Sequence, residues 1–208
     1  MGKINYDALM IREGEKANGE KKLLMHACCA PCSSYCFEET SKFFDVTLYF
    51  YNPNMDTAEE YEKRREELKK LAGEFFPNGK KAATATEEYE PKEFYERVKG
   101  YENEPEGGAR CEKCFELRLE KTAAYAKEHG FDYFTTTLTV SPHKNAEKIN
   151  AIGEKIGQKY GVKYLYSDFK KRDGFKRSTA LSEEFGLYRQ NYCGCVFSKR
   201  TEEILKKS

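Results

Sequence analysis

Three cysteines within five positions close a short apolar segment, and this segment constrains the fold more than any other part of the chain. The stretch reads LLMHACCAPC from Leu23 to Cys32. A bounded apolar run of this length is typical of a buried strand, and Pro31 followed by Ser33 indicates the start of a helix. Ligands of parallel α/β sheets bind beyond the carboxyl ends of the strands. The pattern therefore predicts a parallel sheet with a site for Cys28, Cys29 and Cys32 at the end of its first strand.

The rest of the chain alternates between strand-like and helix-like patterns. Further strands are predicted at 45–51, 131–140 and 162–166, with a short strand end and a helix within 87–99. Helices are predicted at 33–42 and 57–75, from Cys111 to Gly130, from Ser141 onwards, from Ser182 onwards and after Ser198, the last containing Ile204 and Leu205. No linker divides the chain, so we expect one α/β domain over 1–208, with an N-terminal arm at about 1–22 and a basic C-terminal segment at about 161–208.

Eight cysteines form three groups along the 208 residues. The sequence has no signal-peptide pattern and no apolar run as long as a membrane span, so a cytoplasmic protein without a membrane partner is expected. In a reducing compartment, cysteines indicate metal binding or redox chemistry more than a disulfide framework. Free cysteines are also commonly buried as small apolar residues, and Cys36 is interpreted in this way. His26 is interpreted as a strand residue that packs or forms hydrogen bonds.

Cys111 and Cys114 form a two-ligand fork at the start of a predicted helix, where the helix dipole favours thiolates. Together with Cys28 and Cys29 they would make a site of four thiolates, suited either to structural zinc or to an iron–sulfur cluster. Zinc sites usually combine two forks of the same kind, whereas one pair here is adjacent in sequence. This difference favours the cluster, and zinc remains the alternative.

Cys193 and Cys195 are separated by a single glycine. A disulfide between them would close a small, strained ring, and strained disulfides are the labile and catalytic kind. We therefore predict a redox-active pair. The alternative is a further pair of metal ligands.

The C-terminal segment from 161 to 208 is basic, with 11 Lys and Arg against 6 Asp and Glu, although the net charge of the whole chain is only +1. Such an excess favours a polyanionic partner. Basic side chains could neutralise phosphates while the interleaved aromatic rings stack on bases. The alternative is an ordinary solvated face. The candidate RNA-binding residues are Lys170, Lys171, Arg172, Lys176, Arg177, Arg189 and Tyr192.

Five motifs together resemble the QueH family of epoxyqueuosine reductases. They are MHACCAPC at 25–32, YNPNM at 51–55, RCEKCFELRL at 110–119, TTTLTVSPHKN at 135–145 and LYRQNYCGC at 187–195. The resemblance implies an enzyme that removes the epoxide oxygen from epoxyqueuosine in the anticodon loop of tRNA. It therefore implies two partners, a tRNA that carries epoxyqueuosine and an electron donor that the sequence does not identify.

The resemblance also implies a fold and a set of cofactors. The implied fold is a Rossmann-like, three-layer α/β architecture similar to the adenine-nucleotide α-hydrolases, with a parallel sheet between two helical layers. The implied cofactors are a four-iron, four-sulfur cluster on Cys28, Cys29, Cys111 and Cys114 and an adjacent mononuclear iron. The family pattern can have Asp where this chain has Cys32, the candidate for that second iron. A redox-active disulfide is implied for Cys193 and Cys195.

Two other functions remain as alternatives. A tRNA sulfur-insertion enzyme would share the fold and the cluster, but it would need ATP. The glycine-rich pyrophosphate loop that such chemistry uses is absent from the end of the first strand, where the cysteines stand instead. A zinc-stabilised RNA-binding module without catalysis is the alternative from another class.

Overall fold

A parallel sheet of five strands lies at the centre of the computed structural model, which describes residues 4–199. The strand order is β3-β2-β1-β4-β5. The register pairs Leu24 of β1 with Thr47 of β2 on one side and with Phe134 of β4 on the other. The strands are β1 (Lys22–His26), β2 (Asp45–Phe50), β3 (Ala83–Thr86), β4 (Tyr133–Thr136) and β5 (Lys163–Tyr164).

Helices connect the strands, as the alternation of patterns predicts. They are α1 (Tyr6–Ala17), α2 (Ala30–Thr40), α3 (Ala58–Glu74), α4 (Pro91–Arg97), α5 (Ala109–Glu128), α6 (Ala146–Tyr160) and α7 (Gly174–Glu184), with 3₁₀ turns at Pro77–Gly79 and Thr137–Val140. Side-chain caps define some of the starts, because a capping oxygen satisfies a free backbone N–H of the first turn. Thr57 accepts from the N–H of Glu60, and Asn145 accepts from the N–H of Lys148, both at 3.1 Å.

The two faces of the sheet are covered by two separate hydrophobic cores. Successive strand side chains point to opposite faces, so Leu23 and Met25 belong to one core and Leu24 to the other. Helices α1, α2, α3 and α7 contribute to the first core, and α4, α5 and α6 contribute to the second. The three-layer α/β architecture is therefore confirmed. No helix among residues 4–199 is long and apolar enough to cross a membrane.

Several predicted boundaries are wrong for local reasons. The strand predicted at 131–140 ends at Thr136, because the chain turns into a 3₁₀ helix at the edge of the sheet. The next helix begins at Ala146 and not at Ser141, since Asn145 supplies the cap.

The helix predicted from Ser182 onwards begins earlier, at Gly174, so that Lys176 and Arg177 also lie on α7. A side chain at Gly174 would overlap the Tyr35 ring and the Phe169 carbonyl, and this close packing holds the start of α7 against α2. The predicted helix with Ile204 and Leu205 lies outside the described residues.

The strand order reverses its direction beside β1. The connection after β1 leads to β2 on one side, whereas β4 lies on the other side of β1. In open α/β sheets, ligands bind in the crevice at such a switch point, outside the carboxyl ends of the two strands. Here those ends lead into Cys28 and into Thr137.

Candidate functional site: a cysteine-lined pocket

Cys28, Cys29 and Cys32 meet at the carboxyl end of β1. Their sulfur atoms all lie within 4.8 Å of one another, and the sulfurs of Cys28 and Cys29 are 3.8 Å apart. Cys29 is the extended residue before α2, and Pro31 occupies the first turn of that helix. The change from strand to helix removes the alternation that would otherwise point neighbouring side chains in opposite directions. The three thiols can therefore face one metal or cluster.

These three thiols influence one another's ionisation strongly. The pKa of Cys28 is held well below its ordinary value because Cys29 and Cys32 donate hydrogen bonds to its sulfur, with further help from the charges of Arg118 and Lys144. The hydrogen bond to Cys28 raises the pKa of Cys29 to about 12, and the pKa of Cys32 is raised for the same reason. The geometry thus favours a thiolate at Cys28, a prerequisite for binding a metal.

Cys111 and Cys114 lie in the first turns of α5, as predicted. The Cys111 sulfur accepts a hydrogen bond from the N–H of Gly107 at 3.2 Å, and Arg118 Nη1 lies 4.0 Å from the Cys114 sulfur. The expectation that the start of the helix makes these two thiols easier to ionise is wrong. Burial raises the pKa of Cys111, and it raises the pKa of Cys114 to about 12. Desolvation of the charged form outweighs the hydrogen bond from Gly107 at Cys111 and the charge of Arg118 at Cys114.

Cys193 and Cys195 are free thiols, and they lie within electrostatic reach of the α5 fork. Burial is the main cause that raises the pKa of Cys195, and the negative charge of an ionised Cys193 raises it further. The same charge contributes to the raised pKa values of Cys111 and Cys114. The structure thus brings the second and third cysteine groups together, although they are far apart in sequence.

Gly194 sets the conformation of the turn between these two cysteines. Its φ is +115°, in the region that favours glycine, and a side chain there would lie 2.8 Å from Met55 Sδ. Arg64 Nη1 donates to the carbonyl of Cys193 at 3.3 Å, and the N–H of Asp56 donates to the carbonyl of Gly194 at 2.9 Å. The turn is therefore anchored to α3 and to the segment before it.

A pocket of about 400 Å³ opens between these groups, with Cys28, Cys32 and Cys193 all in its wall. Two of the predicted RNA-binding residues, Arg189 and Tyr192, also line it. The remaining polar and aromatic lining side chains include Arg64, Glu106, Arg118, Ser141, His143, Lys144, Phe175, Ser178, Gln190, Asn191 and Ser198. A cavity of this size with convergent polar groups is typical of a small-molecule or nucleoside site.

Sequence reasoning missed three cations of this pocket. Arg118 and Lys144 both lie within motifs that carry the family resemblance, so those motifs were the available signal. Arg64 lies in the charged stretch of α3, and charged side chains of surface helices are mostly exposed. It is nevertheless buried, and its Nε is paired with Glu60 at 2.6 Å.

Three of the predicted RNA-binding cations form ion pairs within the protein. Arg172 contacts Asp7 at 2.9 Å and Glu39 at 2.6 Å, Arg177 contacts Glu38 at 2.6 Å, and Lys170 contacts Asp168 at 3.0 Å. The charge of each is therefore already balanced by a carboxylate. Lys171 and Lys176 are exposed, and they are in no ion pair within residues 4–199. RNA contact by this group of residues stays a prediction.

The positions of Cys36 and His26 agree with their interpretation from the sequence. Cys36 is fully buried in the first core. His26 is fully buried in β1 and hydrogen-bonded, with its Nδ1 2.9 Å from Thr136 Oγ1.

The donor set fits an iron–sulfur cluster. Thiolate is the common ligand of such clusters and also a zinc ligand. The cationic surroundings favour an anionic occupant, because Arg64, Arg118 and Lys144 all lie around the thiols. A cluster with four thiolate ligands carries net negative charge, so the electrostatics of the site suit it.

Comparison with known proteins agrees with the motifs. The family model described as Epoxyqueuosine reductase QueH matches residues 23–201. A QueH protein of Streptococcus pyogenes is 45% identical over 97% of this chain and 81% of its own length. A relative of the same name from Staphylococcus epidermidis is 43% identical over 97% and 87% of the two chains, and one from Thermotoga maritima is 43% identical over 85% and 89%.

Among solved structures, the U34-tRNA thiolase NcsA from Methanococcus maripaludis with its [4Fe-4S] cluster aligns with a TM-score of 0.49. The two chains are 12% identical, and the alignment covers 96% of this chain and 73% of the other. A likeness at this level carries no conclusion about chemistry.

Proposed function

This chain belongs to the epoxyqueuosine reductase QueH family, and we propose that it removes the epoxide oxygen of epoxyqueuosine in tRNA to give queuosine. The observation that carries the proposal is the shared pocket. Cys28 and Cys32 from the end of β1 and Cys193 from the C-terminal turn line one cavity of about 400 Å³. A metal site and a dithiol can therefore act on the same bound nucleoside.

The reaction requires two electrons and two protons. Both carbon–oxygen bonds of the epoxide break, a carbon–carbon double bond forms, and the oxygen leaves as water. Oxidation of Cys193 and Cys195 from dithiol to disulfide supplies two electrons and two protons, so the atoms and electrons balance. An external donor then reduces the disulfide for the next turnover, and a strained ring is readily reduced.

The pocket also offers groups that would hold an anticodon nucleotide. Arg189 and Lys144 are cations in its wall, and Phe175 and Tyr192 present aromatic rings. Tyr192 is held in place because its hydroxyl donates to Asp56 Oδ1 at 2.8 Å. Cations that contact phosphate and rings that stack on bases are the usual means of binding single-stranded RNA.

We assign the cofactors to the two cysteine groups beside the pocket. A four-iron, four-sulfur cluster on Cys28, Cys29, Cys111 and Cys114 would supply electrons one at a time. Cys32 would contribute to an adjacent mononuclear iron, since its sulfur lies beside those of Cys28 and Cys29. Cys32 also lines the pocket, and this supports its assignment as a metal ligand that faces the substrate.

The test uses anaerobically purified protein and an anticodon stem-loop that carries epoxyqueuosine. With a chemical reductant, the RNA should lose one oxygen atom, measured by mass spectrometry of the released nucleoside. The Cys193→Ser, Cys195→Ser variant is the matched control, and it should give no multiple turnover. Sulfur gain that depends on ATP would support the sulfur-insertion alternative, and stoichiometric zinc without iron would support the binding module. Either result contradicts the proposal.

A further inference from the structure

Arg118 is a buried cation whose hydrogen-bond partners are neutral. Its side chain is 1% exposed. Its Nε donates to His26 Nε2 at 3.2 Å, and its Nη2 donates to Asn52 Oδ1 at 2.5 Å. His26 Nε2 also lies 3.2 Å from the carbonyl of Tyr51. It accepts from Arg118 in the uncharged form of the ring that carries its proton on Nδ1, and burial together with the charge of Arg118 favours the uncharged ring by lowering its pKa to about 3. Among residues 4–199, no carboxylate lies within ion-pair distance of Arg118.

A buried charge without a counter-ion is costly, so such charges are normally paired. Arg64 shows the usual solution nearby, since its Nε is paired with Glu60 at 2.6 Å. The remaining guanidinium nitrogen of Arg118, Nη1, lies 4.0 Å from the sulfur of Cys114. Arg118 also lines the same cavity as Cys28. The groups that can balance Arg118 are therefore cysteine sulfurs from both halves of the proposed cluster site.

We propose that Arg118 is the internal counter-ion of the thiolate-bound cluster and a positioning residue that tunes its reduction potential. The inference rests on the cofactor assigned under the proposed function. Reduction adds negative charge to the cluster, and a fixed cation beside its ligands favours the reduced state. Charge and hydrogen bonds around the sulfurs are among the factors that set cluster potentials.

His26 and Asn52 give this cation its direction. They occupy two of the guanidinium nitrogens without neutralising the charge, which leaves Nη1 for the sulfur side. Both residues are themselves anchored, since Asn52 Nδ2 donates to the carbonyl of Ala27 at 2.9 Å and His26 Nδ1 lies 2.9 Å from Thr136 Oγ1. The network fixes Arg118 at the switch point of the sheet.

The test compares Arg118→Met, which removes the charge, with Arg118→Lys, which keeps it. In cluster-loaded, anaerobic protein, Arg118→Met should lower the reduction potential measured by spectroelectrochemistry. It should also shorten the lifetime of the cluster in the presence of an iron chelator by about 10-fold or more, the usual size of such outer-shell effects. Arg118→Lys should recover part of both losses. The remote control Arg97→Met removes a cation paired with Glu120 and should change neither value.

Stability separates this role from a purely structural one. The difference in melting temperature between loaded and cluster-free protein should shrink in Arg118→Met, because the destabilisation falls on the loaded form. Equal destabilisation of both forms, or an unchanged potential, would overturn the proposal. An equal change of potential in Arg97→Met would overturn it too.

A second variant addresses the case in which Arg118→Met does not fold. Asn52→Asp keeps the size of the side chain, loses the hydrogen bond to the carbonyl of Ala27 and places a carboxylate on Arg118 Nη2, so the potential should again fall. An unchanged potential in folded, loaded Asn52→Asp protein would contradict the counter-ion role. None of these measurements uses tRNA. A protein that shows them but does not deoxygenate the stem-loop would therefore reject the proposed function and still support the role of Arg118.

Discussion

The hydroxyl of Thr137 lies 3.3 Å from the sulfur of Cys28 and donates a hydrogen bond to it. The N–H of Cys28 in turn donates to the same hydroxyl oxygen at 3.2 Å. These contacts join the ends of β1 and β4, and the two residues are 109 positions apart in the sequence. Contacts at the switch point of the sheet therefore position Cys28, the thiol whose pKa its neighbours Cys29 and Cys32 lower.

The first prediction concerns the proposed cluster ligands. Replacing Cys28, Cys29, Cys111 or Cys114 by Ser should each remove most of the bound iron, because a cluster of this type needs four thiolates. Iron and sulfide content of anaerobically purified protein is the measurement. Cys36→Ala, at a buried core position, is the matched control and should retain full iron. Full iron loading in Cys111→Ser would contradict the assignment.

Cys32→Ser distinguishes the cluster from the second iron. If Cys32 binds the mononuclear iron, this variant should keep the sulfide content of the parent and lose about one iron in five, since a four-iron cluster accounts for the remainder. A decrease of sulfide in proportion to iron would instead make Cys32 a cluster ligand.

The second prediction concerns the dithiol. During one anaerobic turnover, Cys193 and Cys195 should become oxidised in proportion to the product formed. Alkylation of free thiols, followed by peptide mass spectrometry, measures this directly. The variant Cys193→Ser, Cys195→Ser should keep its iron content and RNA affinity. Stoichiometric product with both thiols still alkylatable would show that electrons come from elsewhere, and metal binding would become the better interpretation.

The third prediction concerns the glycine between these cysteines. Gly194→Ala should reduce the rate of disulfide formation, because the left-handed backbone and the nearby Met55 leave no room for a side chain. Thiol oxidation by a chemical oxidant, timed by alkylation, measures the rate. Gly79→Ala is the matched control, since Gly79 also has a positive φ but is surrounded by open space. Equal effects of the two variants on thiol oxidation would contradict the prediction.

The fourth prediction concerns RNA binding by the exposed lysines of the basic segment. The double variant Lys171→Ala, Lys176→Ala should flatten the dependence of binding on salt by about two units of slope, because each phosphate that a lysine neutralises contributes about one unit. Binding of an anticodon stem-loop at several salt concentrations is the measurement. Lys127→Ala, Lys155→Ala removes two exposed cations of α5 and α6 and should leave the slope unchanged. An unchanged slope in the first variant would identify an ordinary solvated face.

Arg172 provides a contrast within the same segment. Its ion pairs with Asp7 and Glu39 join the start of α7 to α1 and α2. Arg172→Ala should therefore lower the melting temperature, because two partly buried carboxylates would be left without their partner. It should have little effect on the salt dependence of RNA binding.

The fifth prediction is a pH dependence of stability. The hydrogen bond from Lys163, with another from the Tyr133 hydroxyl, lowers the pKa of Glu13 from 4.5 to about 2. The lowered folded pKa means that this stabilisation is complete above pH 4.5 and disappears as the pH falls towards 2. Because the pair is partly solvated, Glu13→Gln should reduce the free energy of unfolding by only about 1 kcal/mol at neutral pH.

Denaturant unfolding at pH 7 and near pH 3 measures this effect. The difference between Glu13→Gln and the parent should narrow at the lower pH, whereas Glu15→Gln on the same helix should behave like the parent at both. A difference that is constant or grows as the pH falls would contradict the linkage.

Local patterns in the sequence determined the architecture and the identity of the reactive groups. The apolar run before Cys28 and the alternating helix and strand patterns were sufficient for a parallel α/β sheet, because burial of apolar side chains depends on their period along the chain. The same patterns placed the fork of Cys111 at the start of a helix. The motifs that resemble the QueH family added the three-layer architecture. Boundaries such as that of α7 were wrong because the close packing of Gly174 against Tyr35 joins distant segments of the chain.

Tertiary structure alone decided which groups face one another. It brought Cys193 into the same pocket as Cys28. It also placed Arg118 beside His26 and Asn52, with no carboxylate of residues 4–199 within ion-pair distance. It also paired Arg172 with acidic residues, so that a basic sequence segment presents fewer free charges than its composition suggests. Charge balance and burial depend on distances between residues far apart in the chain, and no local pattern contains those distances.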